Sequence, residues 1–301
     1  MNQWWHILNV DKKEIVPNYS SQTMWEILVD GTAEPLVRLL TVPNLKRVGI
    51  SQSGVDKARA LNRSSPFVAL PQELVDAITA EVSDIFTLLS LAVSCSYFWR
   101  TLLPRAREAI IAYKAPWAGD RLVVVGDYAV GLPSTCSDFK PDEAGSGNDN
   151  PLYAIETQVH KPLPFEKLFQ PYRRRAATPP YMPIFSGEDH QLLCRLVAML
   201  RYGTKRAGVL RNLSKRQYVL DTKLAESDYA YSLADAAIIR LRWTDDMYRT
   251  SGSSEWVGDR FDIRTADDVT GEWTDKSDET VEFLRRDTGE EKTNGLRAWV
   301  K

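Results

Sequence analysis

Cysteine and histidine are scarce in this chain: 301 residues contain three of each. Cys95, Cys136 and Cys194 are an odd number at wide spacing, which argues against a disulfide framework and for a reducing compartment. None of His6, His160 and His190 lies within a Cys/His ligand spacing, so neither a metal site nor a cofactor is expected. A Ser-His-Asp set would have to use one of those histidines, and nothing in the sequence selects one. The chain also lacks Gly-x-Ser-x-Gly, a Walker loop, Gly-x-Gly-x-x-Gly and His-Glu-x-x-His. The paired acids Asp245-Asp246 and Asp267-Asp268 read as solvated surface. These absences lead to the expectation that the protein is not an enzyme.

Long apolar runs are missing too. No stretch approaches the eighteen apolar residues of a membrane span, and MNQWWHILNVDKKE is too polar for a signal peptide. The net charge of −2 supplies no field that favours nucleic acid or an anionic membrane. Short basic clusters at Arg173-Arg174-Arg175 and between Arg201 and Arg216 read as solvated faces. A cytoplasmic or nuclear protein is expected, with neither nucleic acid nor membrane as partner. What the chain does have is 44% hydrophobic and 26% charged residues, enough for one large domain or two ordinary ones.

Apolar residues are patterned most densely from Pro66 to Pro104. Leu70, Leu74, Ile78 and Val82 recur every four residues, and Val75 widens the stripe, which predicts an amphipathic helix over 71–82. Pro71 suits a first helical turn, where its missing N–H has no partner to lose. A second apolar block follows Asp84 (Ile85, Phe86, Leu88, Leu89, Leu91, Ala92, Val93). A third carries Tyr97, Phe98, Trp99, Leu102 and Leu103. Three short helices in about forty residues cannot enclose all of this, so an apolar face is left to meet another part of the chain or another protein.

The order Leu70-Pro71-Gln72-Glu73-Leu74, Ile78, Ser83-Asp84, Leu88 to Ser94 and Phe98-Trp99-Arg100 resembles the F-box, especially the form found in fungal F-box proteins. The resemblance covers about an eighth of the chain. It implies a three-helix unit that docks onto a Skp-type linker protein and so joins a cullin-RING ubiquitin ligase, while the rest of the chain selects an unknown target protein. Leu70, Pro71, Leu74, Ile78, Leu88, Leu91 and Phe98 are the expected partner-binding residues, and Trp99 is expected to lock the helices together. The alternative is a helical hairpin internal to a ligand- or protein-binding module with no ubiquitin role.

Elsewhere, residues 4–16 have two β-favouring ends and read as a hairpin or bent strand pair about Asp11-Lys12-Lys13. Met24 to Leu40 reads as a helix in two pieces broken at Gly31, residues 44–65 as a polar linker, and Arg105 to Tyr113 as a continued helix. Arg121 to Val125 reads as a buried strand. Residues 134–183 form a Pro/Gly-rich connection, Gly187 to Tyr202 a helix, and the last forty residues a charged tail, docked or frayed, anchored by Trp273, Val281, Phe283 and Leu284.

Two strings recur. Asn9-x-x-Lys12 matches Asn212-x-x-Lys215, and Trp117-Ala118-Gly119-Asp120-Arg121 matches Trp256-Val257-Gly258-Asp259-Arg260. The second separation is 44 residues and the first 108, an excess about the size of an F-box and a short linker. The expected fold is therefore α+β: a three-helix F-box-like segment (66–115) inserted in a duplicated module of mixed helices and strands. Module 1 comprises 1–45 and 116–133, and module 2 comprises 184–301 after the 134–183 linker; the two are expected to pack into one body. Fungal F-box-like proteins carry strings of this kind. Trp117, Asp120, Arg121, Trp256, Asp259 and Arg260 are candidate module sites, where an Arg beside an aromatic face could hold a carboxylate or phosphate. The structural reading is preferred: Gly turns the chain, Asp caps the turn and pairs with Arg, and Trp fills the core. Asn-x-x-Lys reads as ordinary surface chemistry.

Overall fold

Trp4–Asn9 (β1) and Glu14–Ile15 (β2) form the antiparallel hairpin that two β-favouring ends around Asp11-Lys12-Lys13 predict. Lys13 takes a φ of 56° to close it. The computed structural model describes residues 4–16, 22–23, 28, 34–44, 52–126 except 83 and 93, 129, 132–137, 208–244 except 228, and 254–288. The expected helical piece before Gly31, apart from Leu28, the helix from Gly187 to Tyr202, and nearly all of the 134–183 connection lie outside the described residues.

The chain divides into two compact units. Residues up to Val42, those after Pro116 and those from 208 to 288 belong to one unit, and Pro43–Pro116 to the other. The first is built on two sheets. One runs β2-β1-β4-β7, with β4 at Leu122–Gly126, β7 at Arg242–Trp243, and β3 (Gln22–Thr23) also paired with β1. The other runs β8-β5-β6-β9: Phe261–Thr265, Gly208–Asn212, Gln217–Leu220 and Thr274–Asp275. β4 is buried along its whole length, as a β-branched run bounded by glycines leads one to expect. Leu122 and Val124 face one apolar cluster, and Val123 and Val125 another, because successive side chains of a strand point to opposite faces.

The registers of the two sheets match residue for residue around the recurring strings. Asn9 lies opposite Glu14 and Leu122, and Asn212 opposite Gln217 and Phe261. Bonds are then exchanged between the sheets. Gly119 N–H donates to Phe261 O at 2.7 Å and Gly258 N–H to Leu122 O at 3.0 Å; Leu122 N–H donates to Asp259 O and Phe261 N–H to Asp120 O. Arg121 faces Arg260 as an antiparallel bridge at the centre of this exchange. Helix α1 (Glu34–Leu40) leads to Thr41, which pairs parallel to Ile263 of the second sheet. Arg242, directly after Leu233–Leu241, pairs parallel to Val124 of the first.

Leu233–Leu241 is buried at every position. A capping box starts it: Ser232 Oγ accepts from Asp235 N, and the Asp235 carboxylate accepts from Ser232 N–H. Ser277–Thr288 docks against it through Val281, Phe283 and Leu284, so the charged C-terminal stretch is docked as far as 288. Arg240 is fully buried, its guanidinium donating to Glu279 at 2.7 Å and Thr280 Oγ1 at 2.9 Å and lying 5.1 Å from the Trp256 ring centroid.

The second unit is helical. Residues 52–61, expected to be linker, form helix α2 (Gln52–Leu61) instead. Its apolar signal is weak because only Val55 and Ala58 pack on the core. Polar ties fix the rest: Arg59 donates to Leu70 O at 2.8 Å and lies 5.8 Å from the Tyr97 ring centroid, and Asn62 Nδ2 donates to Ser96 Oγ. Then follow α3 (Pro66–Ala69), α4 (Gln72–Ala80), α5 (Ile85–Ala92) and α6 (Ser96–Lys114). The last is the third expected helix and the expected Arg105–Tyr113 helix in one. Trp99 is fully buried at its centre of packing, with Val68, Val75, Leu88 and Leu102 in the same cluster.

Candidate functional site

Helix α4 carries two overlapping apolar stripes, and the structure buries the one with fewer large residues. Val75 and Thr79 turn inward, whereas Leu74 and Ile78 remain 51% and 43% exposed. The four-residue spacing identifies the stripe correctly and leaves its direction open. Pro71 precedes the helix as its N-cap residue and is exposed, and Leu70 is half-buried. Two exposed apolar residues absent from the expected set belong to the same unit: Phe67 at 49% and Leu61 at 74%. Their isolation from the four-residue repeat is why sequence reasoning passed over them.

Leu88 and Phe98, expected at a partner surface, lie in the core of the helical unit at 2% and 5% exposure. Phe98 packs edge-on to Phe67 at 6.2 Å and beside Tyr97 at 5.5 Å. Leu91 is half-buried. The exposed members of the expected set are thus Pro71, Leu74 and Ile78, while Leu70 and Leu91 pack half-buried against the core that holds Leu88 and Phe98.

In the two-sheet unit the recurring strings meet in space, one Asn-x-x-Lys with one Trp-x-Gly-Asp-Arg in each sheet. Asn9 Nδ2 donates to Asp120 Oδ2 at 2.8 Å, Lys12 Nζ lies 3.0 Å from that oxygen, and Asn9 Oδ1 accepts from Lys12 N at 3.0 Å. The second set repeats this: Asn212 Nδ2 to Asp259 Oδ2 at 2.8 Å, Lys215 Nζ at 3.1 Å, and Lys215 N to Asn212 Oδ1 at 3.0 Å. Both asparagines are fully buried. Asn-x-x-Lys is therefore an internal tie rather than surface chemistry, since a buried amide without its partners would be costly.

Trp117 and Trp256 fill the core, as expected, and each indole N–H donates to the residue directly after the lysine-basic pair, Glu14 and Gln217 respectively. Gly119 and Gly258 turn the chain with φ of 88° and 75°. The Asp–Arg pairing departs from expectation. Asp120 and Asp259 are held by Asn and Lys, and the arginines go elsewhere. Arg121 Nε donates to Asp11 Oδ1 at 2.7 Å, and Arg260 Nη1 donates to Asp11 Oδ2 at 2.9 Å and Gly119 O at 2.7 Å. Burial pushes the Asp11 carboxyl upward, but hydrogen bonds and charge from Arg121, with the charge of Arg260, outweigh it and hold the group below its ordinary value. An arginine here does hold a carboxylate, and it is the chain's own.

No group of three or more metal-ligating side chains occurs among the described residues, and no described helix is long and apolar enough to cross a membrane. No protein-family model matches the chain, and searches of curated proteins and of solved structures returned no match.

Proposed function

We propose that this chain is a non-enzymatic substrate-recognition adaptor of a Skp/cullin-RING ubiquitin ligase, acting in the cytoplasm or nucleus. The helical unit docks onto a Skp-type linker protein, and the two-sheet unit binds a target protein. The observation that carries this reading is the outward stripe of Leu74 and Ile78 on a small helical body, in a segment whose residue order resembles the F-box. Each such side chain covered by a partner contributes about 1.5 to 3 kcal/mol before association costs.

The same reading takes the two-sheet unit as one α+β module present twice, with the helical unit inserted in the first copy. Matching registers, reciprocal Gly119 and Gly258 bonds and the doubled Asn–Asp–Lys tie support it. The position of the extra residues supports it too. In both halves the helix and short pairing segment end some thirty residues after the Asn, and only the first half then holds seventy-odd residues before its Trp.

Co-precipitation with a Skp-type protein tests the proposal. Wild type binds, and Leu70→Ala/Pro71→Ala and Leu74→Ala/Ile78→Ala lose binding while unfolding at about the wild-type temperature. Absence of binding by the wild-type chain overturns it and leaves a binding module without a ubiquitin role.

A further inference from the structure

The outer faces of the two sheets have diverged at matching positions. In the first sheet Leu8 stands opposite Ile15 and Val123, and this face is sealed, with Val125, Cys136 and Val257 in the same apolar cluster. At the corresponding places in the second sheet, Arg211 stands opposite Tyr218 and Asp262. Directly opposed residues share a face, so Tyr218, Arg211, Asp262 and, two residues along, Arg264 form one surface. Tyr218 also lies opposite Asp275 of the edge strand β9.

This surface is polar and aromatic where its counterpart is greasy. Arg211 and Asp262 form a buried bidentate pair at 2.8 and 2.7 Å, and the Trp273 ring lies 5.3 Å from the Arg211 guanidinium carbon. Tyr218, Arg264 and Trp273 are half-buried, and Asp267 and Glu272 of the β8–β9 segment and Asp275 of β9 are exposed. Burial and the Asp275 charge raise the Tyr218 hydroxyl above its ordinary range. With Asp268, whose backbone carbonyl accepts from Arg211, these strands and the β8–β9 loop carry five carboxylates against three guanidiniums, those of Arg211, Arg264 and the exposed Arg216 of the β5–β6 turn. Two of the three, Arg211 and Arg264, are already bound to Asp262.

From this divergence we infer that the outer face of the second sheet is the target-recognition surface, and that it takes a basic, lysine- or arginine-rich segment of a partner protein. Trp and Tyr are the residue types that anchor protein contacts. Their faces attract cations, and the surplus of carboxylates selects the sign of the partner. The inference rests on the adaptor reading for its biological sense, but its chemistry is independent of the helical unit.

The test uses the full chain and a fluorescent decapeptide of alternating Lys and Ser, with a Glu-Ser decapeptide as control. Binding is followed by anisotropy at about 50 mM and about 300 mM salt, since exposed charge attraction fades with screening. The basic peptide binds and weakens at high salt; the acidic one does not bind. Trp273→Ala weakens binding about tenfold, the size of an interface anchor. Asp267→Asn/Glu272→Gln, two exposed substitutions that leave the unfolding temperature unchanged, weakens it several-fold. No binding of the basic peptide by the wild type, or wild-type affinity in both variants, overturns the inference. Neither result touches Skp-type binding, which is read with Leu74→Ala/Ile78→Ala.

Discussion

Arg260 reaches the carboxylate of Asp11 at 2.9 Å across 249 residues of sequence, and the place matching Asp11 in the second sheet belongs to Ser214. Asp11 Oδ2 accepts from Arg121 N–H at 3.0 Å, as Ser214 Oγ accepts from Arg260 N–H at 3.0 Å. One carboxylate therefore serves both arginines. Asp11→Ala removes a backbone acceptor and a shared ion pair and costs about 2 kcal/mol, while Asp11→Ser keeps the acceptor and costs about half as much. Adding Ser214→Asp to Asp11→Ser restores the carboxylate from the opposite side and recovers most of the loss. Urea midpoints at unchanged slope check the three values.

Gly119 and Gly258 separate backbone strain from crowding. Both have positive φ, which costs an L-residue about 1 to 2 kcal/mol. A Cβ on Gly119 meets nothing within 4 Å, whereas one on Gly258 meets Thr135 Oγ1 at 2.2 Å and Thr135 Cβ at 2.8 Å. Gly119→Ala thus costs only the conformational share, and Gly258→Ala adds about 1 to 3 kcal/mol of overpacking. Thr135→Ala in the Gly258→Ala background returns part of that excess. Thermal unfolding of the three variants beside the wild type checks the order.

Acid exposes the tie at Arg240. Burial acts to raise the Glu279 carboxyl, but hydrogen bonds and charge from Lys276 and Arg240 prevail and hold it below its ordinary 4.5. A carboxyl lowered on folding stabilises fully above the unfolded value and loses that contribution as pH falls through the lowered folded value. Asp11 follows the same sign below 3.8. Asp235, raised by burial despite its bonds from Ser232, opposes them. Glu279→Gln therefore lowers stability at neutral pH and flattens the fall below about pH 4.5, which urea titrations at stepped pH measure directly.

Local pattern made some of this architecture legible and could not reach the rest. The β1–β2 hairpin, β4 and the burial of Trp99 follow from β-favouring ends about a polar turn, β-branching and aromatic content confined to a few neighbouring residues. Helix α2 was hidden because Arg59 and Asn62, rather than an apolar stripe, attach it to Leu70 and Ser96. The burial of Asn9 depends on Asp120, 111 residues away, and the string alone does not name that partner. Repetition of the string was the available signal: two surface asparagines have no reason to recur with the same lysine and the same distant Trp-x-Gly-Asp-Arg.

The two stripes of α4 give opposite phenotypes, which tests whether the outward one exists for a partner. Leu74 and Ile78 are about half exposed, so replacing both with Ala removes little burial within the chain and shifts stability by no more than about 0.5 to 1 kcal/mol. Val75, at 1% exposure, and Trp99, at 0%, are core. Val75→Ala costs about 2 kcal/mol and Trp99→Ala about 3 to 5 kcal/mol through lost transfer energy and the cavity left behind. Chemical denaturation measures these costs, and binding to a Skp-type protein is measured on the same samples. The outward pair loses affinity at nearly constant stability, whereas Val75→Ala loses stability and, under conditions where it stays folded, keeps affinity. If Leu74→Ala/Ile78→Ala instead destabilises the chain as much as Val75→Ala does, the stripe is part of an internal surface and the docking assignment fails.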